Sequence, residues 1–321
     1  MEMLFTRAGF EQSTSESIAS YRARRFGGAR RVADLCCGIG GDLLALAAGR
    51  DVLAVDLDET HARLAAHNAG VYGRAENVRA VVADVTGLTL AGLDGVFIDP
   101  ARRAGEHRFR AGMSRPPLDW CLGLHERVPA VCVKAAPGLP AELIPDGWEA
   151  EFIADGRDLK EAVLWSPALA SQTRRATIMP SGDTLAPLAG APVPLVEPGE
   201  YLLDPNPAVT RAGLVEDLAR ALGGAAKIDQ RIAFLTMDRP AETPFARTLH
   251  VIDSAPWNEK RFAKRLRDLG VGAADIRRRG LAGDVDQIHR RLKLAGPNHA
   301  TIVITRVSDK PWGLICEALA H

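Results

Sequence analysis

The chain has 321 residues, 47% apolar and 25% charged, with Lys plus Arg equal to Asp plus Glu at 40 each. That length suits about two domains, and the composition excludes a disordered or fibrous chain. No run of about 18 apolar residues and no leader-like N-terminus is present, and the five cysteines lack CxxC spacing or pairing; a cytoplasmic protein without membrane span, disulfide framework or metal site is expected.

Residues 12–26 read as one capped helix, with Ser and Thr ahead of Glu16 and with Ile18, Tyr21 and Phe26 near one face. It either covers a ligand or packs on a sheet. A first strand, Val32 to Leu35, leads into Gly38, Gly40 and Gly41 and then the apolar run Leu43 to Ala47. Such a strand, glycine turn and helix start bring backbone close to a ligand. A nicotinamide fingerprint needs glycine at position 43, which is Leu. A second strand, Asp51 to Val55, ends in Asp56, placed to accept bonds from ribose hydroxyls, while Asp58 reads as the N-cap of the helix Glu59–Ala69. A third, Val78 to Ala83, ends in Asp84, within reach of an adenine amine. A fourth, Gly95 to Ile98, ends in Asp99-Pro100-Ala101-Arg102-Arg103, and a fifth, Ala130 to Val133, in Lys134. Trp148–Ala154 and Lys160–Trp165 form a hairpin across Asp155-Gly156-Arg157-Asp158.

Strands alternating with helices and closing on a hairpin predict a doubly wound α/β sheet of order 3-2-1-4-5-7-6. Ligands of such sheets lie beyond the carboxyl ends of the strands, where the order reverses. The glycine turn, Asp56, Asp84 and Asp99 all fall there.

Thr173–Met179 adds a strand, and Pro187, Pro192, Pro194 and Pro198 mark an irregular connection. Asn206 to Leu222 reads as one helix stopped by Gly223-Gly224. The last stretch reads as a β-α-β-α-β-β module: strand 248–252, helix 258–269, strand 275–279, a helix capped by Asp284, then strands 301–307 and 313–319. At about 75 residues it is near the lower limit for an independent domain. The expected division is 1–185, a bridging subdomain 186–247, and 248–321. From Ala246 onward 14 Lys/Arg face 8 Asp/Glu, against 26 and 32 before it, which hints at an anionic partner for the tail.

Taken together, DLCCGIGGD, VLAVDLD, ENVRAVVADV and DGVFIDPARR resemble the class I S-adenosylmethionine-dependent methyltransferases over residues 12–180. DPARR, VKAAPGL and RGLAGDVDQIHRRLKLAG resemble more closely the bacterial members with a THUMP-like C-terminal domain. The resemblance implies a Rossmann-like sheet, S-adenosylmethionine as cofactor, and RNA binding through the tail. It implies that Asp34, Gly38, Gly40, Gly41 and Asp42 line the methionine end, that Asp56 meets the ribose and Asp84 the adenine, and that Asp99 faces the open side of the methyl donor. Members carry a longer helical segment ahead of the Gln12 helix, so a more open cofactor mouth is expected here.

Amine methyltransferases usually place an aromatic residue after Asp/Asn-Pro-Pro to stack a flipped base; here Ala101 and Arg102 stand in the last two positions. Arginine can stack on a base or hold a phosphate, so Arg102 joins Asp99 as a candidate catalytic residue. Asp99 needs only to accept a hydrogen bond from the attacking amine. Arg103, Lys134, Arg278 and Arg291 are candidate substrate contacts, set against a solvated strand end or face. Cys132 lies inside its strand and reads as core, which weighs against covalent attack by cysteine. The expectation is a methyltransferase acting on a base in structured RNA, tRNA or rRNA. The alternatives are a small-molecule or protein methyltransferase whose tail dimerises, and a non-catalytic cofactor-binding module.

Overall fold

The computed structural model describes residues 2–101, 103–104, 107–108 and 113–319, with the backbone alone at 8, 11–12, 103–104 and 107–108. They divide into two compact units, Met1–Pro187 and Leu188–His321.

The first unit runs α1 (Arg7–Gln12), α2 (Glu16–Arg25), β1 (Arg31–Leu35), α3 (Leu43–Leu46), β2 (Asp51–Asp56), α4 (Glu59–Val71), β3 (Val78–Val82), β4 (Gly95–Ile98), the short ribbon β5 (Arg103–Ala104) and β6 (His107–Arg108), α5 (Leu118–Gly123), β7 (Ala130–Ala135), β8 (Glu149–Asp155), β9 (Asp158–Trp165), β10 (Arg174–Met179) and β11 (Asp183–Leu185). Its sheet has the order β11-β10-β8-β9-β7-β4-β1-β2-β3. With the ribbon set aside, the first seven sheet strands follow 3-2-1-4-5-7-6, as expected. Two more extend the edge: β10 runs parallel to β8, and β11 antiparallel to β10. β1 lies between β2 and β4 with Val32, Ala33 and Leu35 fully buried, the apolar pattern of a parallel strand covered on both faces.

The expected helix over 12–26 is two helices. Ser13 and Ser15 take extended conformations between α1 and α2, and Thr14 between them turns its hydroxyl to Asp42. Asp58 does cap α4, accepting from the Thr60 and His61 amides.

The second unit runs β12 (Tyr201–Pro205), α6 (Pro207–Ala212), α7 (Val215–Leu222), β13 (Ala226–Lys227), β14 (Leu235–Met237), β15 (Ala246–Pro256), α8 (Glu259–Asp268), β16 (Val271–Arg278), α9 (Val285–Leu292), β17 (Asn298–Val307) and β18 (Lys310–Ala318). One sheet joins all seven strands, in the order β13-β14-β12-β15-β18-β17-β16. The expected helix over 206–222 breaks at Gly213, a left-handed cap with φ 68°.

Residues 186–247 do not form a bridging subdomain of their own. β12 pairs antiparallel with β15, and β17 shows why. Ile302 and Ile304 pack with Phe262, Leu266 and Leu292 of the helices, while Val303 and Val307 pack with Leu202, Ile228 and Phe234. The tail strands are apolar on both faces, and the preceding segment supplies the second cover. Among the described residues, no helix is long and apolar enough to cross a membrane.

Candidate active site

Leu35 stands in register with Ile98, and its carbonyl accepts the Asp99 amide at 3.2 Å, so the glycine turn and the end of β4 are neighbours. The turn is left-handed at Cys36, Gly38 and Gly40, with φ of 59°, 53° and 93°. A Cβ on Gly40 would stand 3.3 Å from the Cα of Ala65 in α4, so bare backbone is required where the turn meets that helix. Asp56 fastens the turn to β2: its Oδ2 accepts the Gly38 amide at 2.8 Å and its Oδ1 the Asp58 amide at 2.9 Å. Asp84, exposed at the end of β3, accepts from the Thr86 amide and hydroxyl at 2.9 and 2.7 Å.

Asp34 is 1% exposed, and neither carboxylate oxygen has a hydrogen-bond partner among the described residues. Burial, then the nearby Asp42 and Asp99, push its carboxyl well above the ordinary range. A buried carboxylate in that position calls for a cation or a donor.

Beside it runs a chain of buried charges. Arg22 of α2 donates Nη2 to Asp42 and Nη1 to Glu161 Oε1 at 2.6 Å. Lys134 Nζ donates to Asp99 Oδ2 at 2.6 Å and lies 3.8 Å from Glu161 Oε2. The Thr14 hydroxyl joins the strands of this network, donating to Asp42 Oδ2 at 2.8 Å and accepting from Arg22 Nη2 and Lys134 Nζ, each at 3.0 Å. Burial opposes the charge on Lys134, but Asp99, Glu161 and Asp42 outweigh it and raise the ammonium above its ordinary value. Burial holds Glu161 above the carboxylate range against the pull of Arg22 and Lys134. With all members ionised, Asp42, Glu161 and Asp99 exceed Arg22 and Lys134 by one negative charge.

Of the two readings offered for Lys134, the solvated strand end is excluded: the side chain is buried, with the buried Glu161 and the partly exposed Asp99 as partners. Arg102 lies outside the described residues, and of Arg103 only the backbone lies within them. Pro100, Met113, Ser114, Leu118 and Ala135 line a small recess with Lys134. A larger cavity of about 470 Å³ lies between the N-terminal segment, α2 and α3, and among the described residues touches only Gly41 of the expected site. Cys132 is fully buried, as expected of a core residue.

Thr14, Arg22 and Glu161 carried no motif. The available signal was charge inside apolar strands: Lys134 in AVCVKA and Glu161 in DLKEAVLW must find partners once buried.

In the second unit, Arg277 and Arg279 both turn to the buried Asp204, at 2.5 and 2.8 Å, and Arg279 also covers the Phe234 ring. Arg278 has its Nη1 buried without a hydrogen-bond partner among the described residues. Arg291 is exposed and lies 3.7 Å from Glu259. Exposed cations gather on and beside the two helices instead: Lys260, Arg261, Lys264 and Arg267 on α8, and Arg290, Arg291 and Lys293 on and after α9.

Two Mycobacterium tuberculosis proteins, each described as an uncharacterized S-adenosylmethionine-dependent methyltransferase, are 36% identical over 320 residues, covering 95% of this chain and 85% of theirs. The chain belongs to that family. Within the methyltransferase, residues 29–101 match the family described as RNA cap guanine-N2 methyltransferase, and residues 246–318 the family described as THUMP domain-like. The crystal structure of a proposed methyltransferase from Porphyromonas gingivalis superposes with a TM-score of 0.80 at 20% identity, over 98% of this chain and 83% of that one, so the two share a fold. The cofactor of the methyltransferase is S-adenosylmethionine.

Proposed function

We propose that the methyltransferase modifies a base in structured RNA, transfer or ribosomal, at an exocyclic amine. The observation that carries this reading is the Asp99 carboxylate. Its side chain is 25% exposed at the end of β4, with Oδ2 held by Lys134 and Oδ1 without a protein donor among the described residues. One carboxylate oxygen is thus free to accept an N–H from an incoming amine and aim its lone pair. Likeness to the guanine-N2 and THUMP domain-like families supports an amine on RNA, as do the exposed cations of α8 and α9.

The residues fit S-adenosylmethionine. Asp34, orphaned and buried, suits its ammonium; Asp56 has acceptor capacity left for the ribose hydroxyls, and Asp84 for the adenine amine. Gly38, Gly40 and Gly41 let the backbone close on it. Asp42 acts from behind, holding Arg22 and Thr14. When bound, the cofactor supplies a methyl group already activated on a sulfonium. Asp99 then has to orient the acceptor and need not be a strong base.

Titration of unmodified tRNA by fluorescence anisotropy tests the RNA part. Four neutralised phosphates predict an affinity loss of about 100-fold between roughly 50 and 200 mM salt. Absence of binding at low salt overturns it. Asp99→Ala is expected to abolish methyl transfer while calorimetry with S-adenosylhomocysteine still detects binding.

A further inference from the structure

We propose that Lys134 is a positioning residue: braced by Glu161 and Thr14, it fixes one oxygen of Asp99 and leaves the other to receive the methyl acceptor. This rests on the reading of Asp99 as the group that meets the acceptor.

Three separate parts of the chain hold the Lys134 ammonium. Asp99 Oδ2 at the end of β4 lies at 2.6 Å, Thr14 Oγ1 between α1 and α2 at 3.0 Å, and Glu161 Oε2 on β9 at 3.8 Å. An ammonium has three N–H donors, and three partners surround this one. Its side chain is only 5% exposed, so Nζ cannot swing aside without leaving a buried charge uncompensated. Glu161 in turn is tied to Arg22, and Thr14 to Asp42. The brace therefore reaches from the glycine turn to the acceptor side.

The charges around Asp99 give this brace a chemical role. Asp34 faces it from β1, Arg22 from α2, Glu161 from β9 and Lys134 from β7, with the neutral Cys36 thiol on the turn. Among the described residues Lys134 is the cation that touches Asp99, with Asp34 and Glu161 nearby. Loss of the Lys134 cation and of its hydrogen bond to Oδ2 favours the protonated carboxyl. A protonated Asp99 donates a hydrogen bond where the acceptor amine needs one accepted. Lys134 thereby selects an acceptor that brings its own hydrogen, an N–H or O–H, over a bare ring nitrogen.

The test compares wild type with Lys134→Met and Lys134→Arg. A carbon NMR titration of the Asp99 side chain, assigned by its loss in Asp99→Asn, is run on protein without RNA. In Lys134→Met the Asp99 resonance is expected to titrate about one pH unit or more higher. The acid limb of the kcat–pH profile should move the same way, with kcat down about tenfold or more at neutral pH and recovering as pH rises. Lys134→Arg should restore most of both. If Lys134→Met fails to fold, Lys134→Met/Glu161→Gln removes the buried pair together and carries the same measurements. An unmoved titration and an unmoved profile overturn the proposal. A moved titration in a protein that methylates no RNA upholds the Lys134 brace and overturns the RNA reading alone.

Discussion

At the scale of single residues, Asp34 sets function against stability. Its buried oxygens have no partner among the described residues, so the folded protein holds an acid whose ionised form is penalised, first by burial and then by Asp42 and Asp99. The folded pKa is raised above the unfolded value of about 3.9, so above that pH the folded state binds more protons and stability falls as pH rises. Asp34→Asn removes this penalty. The variant is expected to melt about 2–6 °C above wild type at neutral pH in the absence of cofactor. The gap should open as pH rises from about 4, and calorimetry should find S-adenosylhomocysteine binding lost; a variant less stable than wild type would contradict the account. Asp34 was legible in the sequence because a glycine turn follows it. The left-handed Cys36 was not, since nothing in a Cys-Cys pair announces a positive φ. Thr14 and Arg22 were hidden for a different reason: their roles are defined by partners far along the chain, Asp42 and Glu161.

At the scale of elements, α2 is held to the sheet by ion pairs that its apolar face does not reveal. Arg25 donates to Glu149 at 2.9 and 2.7 Å and to Glu151 at 3.0 Å, and lies 4.2 Å from the Trp165 ring centroid. Tyr21 donates to Glu151 at 2.6 Å. Glu149 also receives Arg175 Nε at 2.7 Å and the Ser171 amide at 2.8 Å. Burial raises its carboxyl, but Arg25, Ser171 and Arg175 together bring it down to about 2. For an acid with a depressed folded pKa the stabilisation is complete above about pH 4.5 and disappears as pH falls through about 2, a span worth roughly 3 kcal/mol. Glu149→Gln should lower stability by about 3–5 kcal/mol at pH 7, because Arg25 and Arg175 keep their charge. Urea denaturation followed by Trp fluorescence should show the gap shrinking between pH 4.5 and 2; a gap independent of pH would mean the pairs contribute nothing. Strand positions were readable from apolar runs, yet Glu149 and Glu151 alternate within one such run. Their spacing marks one face, and only the fold shows that α2 covers it.

At the scale of the whole molecule, the expected boundary at 248 agrees with the THUMP domain-like match over 246–318, but the compact unit that carries it begins about 60 residues earlier, at Leu188. The helices and strands of the tail make a complete module by pattern, but pattern alone cannot say whether both faces of a sheet are covered. Val303, Val307, Leu314 and Cys316 are buried against Leu202, Ile228, Ile232 and Phe234, which come from the proline-rich stretch where no chemistry could be read. Charge follows the same boundary. Counted from Leu188, Lys and Arg number 19 against 16 Asp and Glu, a surplus of three where the count from Ala246 gave six. Asp204 accounts for part of that change by holding Arg277 and Arg279. A fragment of residues 188–321 is therefore expected to fold alone, with dispersed amide resonances and cooperative melting. A fragment of residues 248–321 loses the cover of β17 and β18. Removing Leu202, Ile228 and Phe234 costs on the order of 5–8 kcal/mol of burial, comparable with the whole stability of a domain this size. The shorter fragment should aggregate or show collapsed amide dispersion, and its freed Arg277 and Arg279 should strengthen non-specific, salt-sensitive RNA binding relative to the longer one. Equal stability of the two fragments would show that the tail is self-sufficient and that the proline-rich segment is only a linker.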